Sequence, residues 1–162
     1  PPISTLFPYT TLFRSRSVAT SDYKDGLILA TPDKSLTDGT FTDSKLMWSL
    51  GNYSRFVRPG AVRVQVNGIS NDNAPKNEEH TNPEGIMLSA YNNPDGSLVI
   101  VAINYSNKAQ TIQLNTNSNY QQLIPYITSD ETGNDLKPLA PVKQGTQTTL
   151  PARSIISYVS VL

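Results

Sequence analysis

Apolar and polar positions divide the chain into one stretch of helical period followed by a long stretch of period two. Between Asp43 and Arg58, the residues Leu46, Leu50, Tyr53 and Val57 recur at i, i+4, i+7 and i+11, laying an apolar stripe along a helix. Thr42 or Asp43 can cap its start. Arg55 and Arg58 put cations where the helix dipole favours them, and Pro59-Gly60 stops it. From Ala61 onward the period changes. Val62, Val64 and Val66 alternate with Arg63, Gln65 and Asn67, the pattern of a half-buried strand. An Asn-rich loop, roughly 68–83, leads to strands predicted at Ile86–Tyr91 and Ser97–Tyr105, joined through Asn92-Asn93-Pro94-Asp95-Gly96, a strong hairpin signal. Leu98–Ile103 is apolar on both faces, which places it at the centre of a sheet. Shorter strands are predicted at Thr111–Leu114, Gln121–Thr128 and Thr146–Leu150, and Ser154–Val161 forms a closing strand. Pro125 argues that its strand lies at an edge. The pattern is that of a mainly β fold, an antiparallel β-sandwich of about 6–8 strands with one N-terminal α-helix.

Upstream of the helix the signal is weaker. Asp22-Tyr23-Lys24-Asp25-Gly26 reads as a polar turn before the short apolar run Leu27-Ile28-Leu29-Ala30, and Pro32 to Thr42 reads as loop. The opening PPISTLFPYTTLFRS has no initiator Met and no charged-then-apolar-then-small signal-peptide pattern. It resembles the translated read-through of a sequencing adapter, so residues 1–20 are set apart as a non-native or disordered leader. A genuine edge strand around Thr5–Phe13 is the alternative. The remaining divisions are 21–60, with loop and helix, and 61–162, the sandwich.

Composition narrows the chemistry. Thirteen basic and thirteen acidic side chains cancel, which gives no electrostatic basis for nucleic-acid or anionic-membrane binding, and no apolar run is long enough to span a bilayer. Without cysteine there are no disulfides, thiol nucleophiles or thiolate metal sites. Charged residues make up 16% of the chain while Asn, Ser and Thr abound, a mixture suited to strands and polar loops.

No constellation of acids, bases or nucleophiles emerges. His80 stands beside Glu78 and Glu79 in the Asn-rich loop with no partner at helix or strand spacing, and is read as a solvated loop histidine. The four glutamates are Glu78, Glu79, Glu84 and Glu131. Glycosidic hydrolysis uses two carboxylates facing each other roughly 5 to 10 Å apart across the scissile bond. Three of the four crowd one loop and read as surface charges. The expectation is no catalytic residue, no metal site and no cofactor. Asn52-Tyr53-Ser54 and Asn104-Tyr105-Ser106 match the glycosylation acceptor pattern, but they fall in a predicted helix and strand and are read as chance matches. Aromatic faces stack on sugar rings. Trp48, whose side of the helix is ambiguous, is assigned to packing, as are Tyr91, Tyr105, Tyr126 and Tyr158, whereas Tyr23 in its polar turn could face a ligand.

One segment carries a family resemblance. Leu50-Gly51-Asn52-Tyr53-Ser54-Arg55-Phe56-Val57-Arg58-Pro59-Gly60-Ala61-Val62-Arg63-Val64 resembles the stretch that leaves the barrel in glycoside hydrolase family 30. Leu88-Ser89-Ala90-Tyr91 with Pro94 to Ser106 is similar to that family's central sandwich hairpin. Leu150-Pro151-Ala152-Arg153-Ser154 is similar to the entry to its last strand, and Asp22 to Ile28 to the stretch after its eighth barrel strand. The resemblance implies a parent enzyme that hydrolyses β-linked glycans such as xylan, β-1,6-glucan or galactan with retention, in which a (β/α)8 barrel carries an attached β-sandwich. The family's acid/base and nucleophile glutamates lie on barrel strands four and seven, to which no position here corresponds. Residues 21–60 would then be the end of the barrel, its loop and last helix. The chain would be a non-catalytic brace whose partners are the barrel and, through it, polysaccharide. The helix face left bare would favour self-association, and the location would be secreted or periplasmic. Asp22 and Tyr23 are the candidate substrate-binding residues on this reading. The competing reading is a free-standing carbohydrate-binding module, which needs a row of exposed aromatics on one sheet face.

Overall fold

The computed structural model describes residues 15–17, 26–34, 38–67, 85–116 and 120–161. It forms two compact units, Pro1–Trp48 and Ser49–Leu162, the division falling inside the helix. In the first unit, β1 (Ser15–Ser17), β2 (Ile28–Pro32) and β3 (Gly39–Asp43) form a three-stranded sheet in that order. β1 runs parallel to β2, and β2 antiparallel to β3. This corrects the loop expected over Pro32–Thr42. The Asp33 N–H donates to the Asp38 carbonyl and closes a hairpin, and Thr40, Phe41 and Thr42 are strand-favouring residues. All five β3 positions are exposed, so the strand leaves no apolar alternation in the sequence.

Helix α1 (Lys45–Ser54) is shorter at both ends than the stretch Asp43–Arg58 predicted for it. Its cap is Ser44 rather than Thr42 or Asp43. The Ser44 hydroxyl accepts from the Met47 N–H at 3.3 Å and donates to the Leu27 carbonyl at 2.9 Å. Asp43 instead accepts from the indole N–H of Trp48, which is half-buried.

The second unit holds β4 (Val62–Val64), β5 (Ile86–Asn92), β6 (Leu98–Asn104), β7 (Gln110–Gln113), β8 (Gln122–Ser129), β9 (Lys137–Pro138), β10 (Val142–Lys143), β11 (Gln147–Leu150) and β12 (Ser154–Ser160). One seven-stranded sheet runs β10-β8-β12-β6-β5-β4, with β9 also on β8, and β11 and β7 form a separate ribbon. All pairings within this unit are antiparallel. The architecture is the expected antiparallel sandwich with one helix, and β6 occupies the middle of the sheet, between β12 and β5.

Strand parity sorts the side chains into two cores. Toward the ribbon point Leu98, Ile100 and Ala102 of β6, Ile156 and Tyr158 of β12, and Leu123 and Ile127 of β8, packed with Leu150 of the ribbon. Toward the helix point Val99, Val101 and Ile155, covered by Tyr53, Phe56 and Val57. Fully burying one such aliphatic side chain contributes roughly 1.5–3 kcal/mol, so both faces of β6 stabilise the fold. The second unit is therefore three layers deep: ribbon, sheet, helix.

β8 is not an edge strand, although Pro125 suggested one. Short β9 and β10 pair with different halves of its outer side, β10 at Leu123 and β9 at Tyr126. The Pro125 carbonyl accepts from the Leu139 N–H on that outer side. In an antiparallel strand a residue's N–H and C=O point the same way, so the missing proline N–H falls between the two short strands and the β12 ladder loses nothing.

Inside the ribbon-side core, the Tyr158 hydroxyl is fully buried and has no hydrogen-bond partner among the described residues. Burial raises its pKa; the Thr148 hydroxyl, close enough to lower it in part, does not meet hydrogen-bond geometry. An orphaned polar group is a cost rather than a gain. Tyr158→Phe is therefore expected to leave the urea midpoint unchanged or higher, by up to about 1 kcal/mol of stability. A clear loss would mean that the hydroxyl is satisfied in solution.

Candidate functional site

The residues richest in specific interactions lie where the helix end meets the sheet, all within the second unit. The expected stripe Leu46, Leu50, Tyr53 and Val57 is not what the sheet receives. Leu46 and Leu50 are each 49% exposed, and the buried side is centred on Asn52, Tyr53, Phe56 and Val57. Apolar periodicity skipped Asn52 because it counts only apolar residues, yet Asn52 is fully buried.

Asn52 ties the helix to two strands. Its Nδ2 donates to the Thr128 hydroxyl of β8 at 2.7 Å. The Ser157 hydroxyl of β12 meets both its backbone carbonyl, at 2.7 Å, and its side-chain Oδ1, at 2.9 Å. Thr128 also accepts from the Leu136 N–H. Gly51 allows this approach, because a Cβ there would stand 2.6 Å from Leu136 Cδ1.

A second asparagine fixes the helix end. Asn93, in the β5–β6 turn, accepts from the Arg58 N–H at 3.0 Å, and its Nδ2 donates to the Phe56 carbonyl and the Ser97 hydroxyl, each at 2.9 Å. These bonds take up backbone groups in the turns that continue from α1 toward Gly60. In the same turn, Asp95 accepts from the Ser97 hydroxyl and the Ser97 N–H, and these bonds hold its carboxyl below the usual carboxylate range. A depressed folded-state pKa stabilises above the unfolded value and is lost as pH falls toward the folded one. Acidification through that window is expected to weaken the turn in the native protein and to have less effect on Asp95→Asn, as read by amide exchange at Gly96 and Ser97.

Aromatic contacts complete the junction. Tyr53 and Tyr91 meet edge to face at 6.3 Å, and the Tyr53 and Ser89 hydroxyls hydrogen-bond. Phe56 and Tyr126 pack at 4.5 Å, with the Arg55 guanidinium 5.5 Å and 5.8 Å from their ring centres. Tyr91, Tyr126 and Tyr158 thus pack as expected. Tyr105 does not: β6 ends at Asn104, and Tyr105 just past it is 48% exposed.

The two glycosylation-pattern asparagines are structural. Asn104, 1% exposed, donates through Nδ2 to the carbonyls of Lys108, Leu150 and Pro151 at 2.9, 3.1 and 2.8 Å. Its Oδ1 accepts from the Ser106 N–H at 3.0 Å and the Ser106 hydroxyl at 2.9 Å. It does for the ribbon what Asn52 does for the helix.

Asp22, Tyr23, His80, Glu78, Glu79 and Glu84 lie outside the described residues. Glu131 is exposed and accepts from the Asn134 side chain at 3.0 Å, tightening the turn after β8. Among the described residues, no three His, Cys, Asp or Glu side chains gather in a group that could hold a metal ion, and no helix is long and apolar enough to cross a membrane.

Comparison with known proteins assigns this architecture. The profile described as the glycosyl hydrolase family 30 beta sandwich domain matches residues 60–158. A conserved exported protein from Bacteroides fragilis is 29% identical, with a TM-score of 0.68, over 83% of this chain and 26% of that one. Xylanase C of family 30 from Talaromyces cellulolyticus is 27% identical, with a TM-score of 0.62, over 85% and 27%. A family 30 endoxylanase from Clostridium papyrosolvens C71 is 29% identical, with a TM-score of 0.56, over 75% and 28%. The chain spans about a quarter of the length of each of these proteins. With its central hairpin, closing strand and helix-end motif all in place, the chain belongs to the β-sandwich domain family of glycoside hydrolase family 30.

Proposed function

We propose that this domain is the non-catalytic β-sandwich of a retaining β-glycan hydrolase, in which it braces a (β/α)8 barrel and shapes one wall of its cleft. The observation that carries this reading is the Asn52 junction. A helix hydrogen-bonded to β8 and β12 through a fully buried amide moves with the sheet, so whatever packs on the helix is held by the whole sandwich. Leu46 and Leu50, half exposed, are the surface offered to the barrel; without the barrel, they favour self-association of the chain. Asp22 and Tyr23 are the candidate substrate-binding residues on this reading. Among xylan, β-1,6-glucan and galactan, the xylanase names of two neighbours support xylan first. A secreted or periplasmic location is supported by the exported neighbour.

The test is hydrolysis of the three glycans by this chain as it stands. No turnover is expected. Turnover that disappears on changing Glu131, Glu78, Glu79 or Glu84 to Gln would overturn the non-catalytic reading. Retention on insoluble glycan in a pull-down, without hydrolysis, would favour the carbohydrate-binding module instead.

A further inference from the structure

We infer that Asp38-Gly39, at the start of β3, is a site of spontaneous aspartyl isomerisation, and that the fold protects the same dipeptide at Asp95-Gly96. Asp38 and Gly39 are both exposed, and the Asp38 carboxyl is folded back on the next residue, with the Gly39 amide nitrogen 2.7 Å from Oδ1. The Gly39 nitrogen therefore lies beside the Asp38 carboxyl, the group onto whose carbon a five-membered ring would close. Glycine after the aspartate places no side chain in the way and leaves the backbone free to turn into the ring. The Gly39 nitrogen gives up its proton to solvent and bonds to Cγ of the protonated Asp38 carboxyl. The Cγ–OH bond breaks, and water leaves a succinimide. Water then adds back at one of the two ring carbonyls. Opening at Cγ restores aspartate. Opening at the main-chain carbonyl routes the chain through the side chain and leaves isoaspartate. No electrons are exchanged, and the water released in the first step equals the water consumed in the second.

At Asp95-Gly96 the geometry opposes each of these steps. Oδ1 of Asp95 is turned past Gly96 to accept from the Ser97 N–H at 2.8 Å and the Ser97 hydroxyl at 2.6 Å. The Gly96 N–H is engaged elsewhere, donating to the Asn93 carbonyl at 3.0 Å. The Ser97 bonds also lower the Asp95 pKa, which favours the carboxylate over the acid form that the ring closure consumes. A third such dipeptide, Asp25-Gly26, has its aspartate outside the described residues. The consequence at position 38 is local. Isoaspartate adds a methylene to the main chain at the point where the Asp33-to-Asp38 bond closes the hairpin, so the β2–β3 pairing downstream loses its register.

The test incubates the full chain at mildly acidic pH, folded and in denaturant, and reads isoaspartate at each position separately by peptide mapping with electron-transfer fragmentation. In the folded chain, position 38 is expected to convert several-fold faster than position 95. Denaturant should bring the two rates together, and Gly39→Ala should slow position 38 while leaving position 95 unchanged. Equal rates at 38 and 95 in the folded chain, or conversion at 38 slower than in denaturant, would overturn the inference.

Discussion

Asn104→Ala is expected to lower the unfolding free energy by about 3–4 kcal/mol, the largest loss for any single substitution considered in this domain. The cost arises from what is left behind. With the amide gone, the Leu150 carbonyl loses this donor and the buried Ser106 N–H loses its acceptor, while the Lys108 and Pro151 carbonyls keep the Ser106 and Ser154 hydroxyls as donors. Each buried polar group left unpaired costs roughly 1–3 kcal/mol, less whatever relaxation or entering water recovers. A urea titration measures the total. Asn104→Asp provides the sharper control, because a carboxylate aims negative charge at three carbonyl oxygens and its pKa must rise. Its stability should therefore recover in part as pH falls, since the folded state then binds the extra proton. If Asn104→Ala behaves like a surface substitution, the ribbon is not held to the sheet by this amide.

Asn52→Ala is expected to cost about 2–3 kcal/mol. The Thr128 hydroxyl loses the Asn52 amide and keeps the Leu136 N–H, and the Ser157 hydroxyl loses one of its two acceptors, the backbone carbonyl of residue 52 remaining available. The effect should also be local in a way that the Asn104 effect is not. Hydrogen exchange should accelerate at the amides of 49–57 while those of β6 keep their protection, because the apolar contacts of β6 on its other face are untouched. Uniform acceleration over the whole sheet would show that helix and sheet unfold as one unit and that Asn52 does not act as a separate fastening.

Much of the second unit was legible because burial writes itself into sequence, as alternation where one face is covered, in β5 and much of β8, and as a continuous apolar run where both are, in β6. β5, β6, β8 and β12 lie within a residue or so of their expected bounds for that reason. β3 was missed because none of its five positions is buried, and β9 and β10 because two residues cannot show a period. Pro125 was read as an edge signal on sound grounds, but its neighbours leave a gap where its N–H would be. The junction was harder to see. Hydrophobic periodicity cannot detect a buried amide, so the helix face was drawn through Leu46 and Leu50, which are half exposed, instead of through Asn52. Parity held a usable clue for Asn104, which continues the series Leu98, Ile100, Ala102 on the ribbon-side face. A polar residue at an interior position of that series had to be a bonded one.

The central placement of β6 also bears on how the domain ages in solution. Leu98-Val99-Ile100-Val101-Ala102-Ile103 is rich in β-branched residues, uncharged and free of proline, the composition from which cross-β fibrils nucleate. Here both backbone edges are taken by β12 and β5, and both faces are covered, so the segment cannot template another chain until the sheet opens. Shelf life at high concentration should then follow the unfolding rate more closely than surface charge. Substitutions that loosen the ribbon or the helix would shorten it well before they abolish folding.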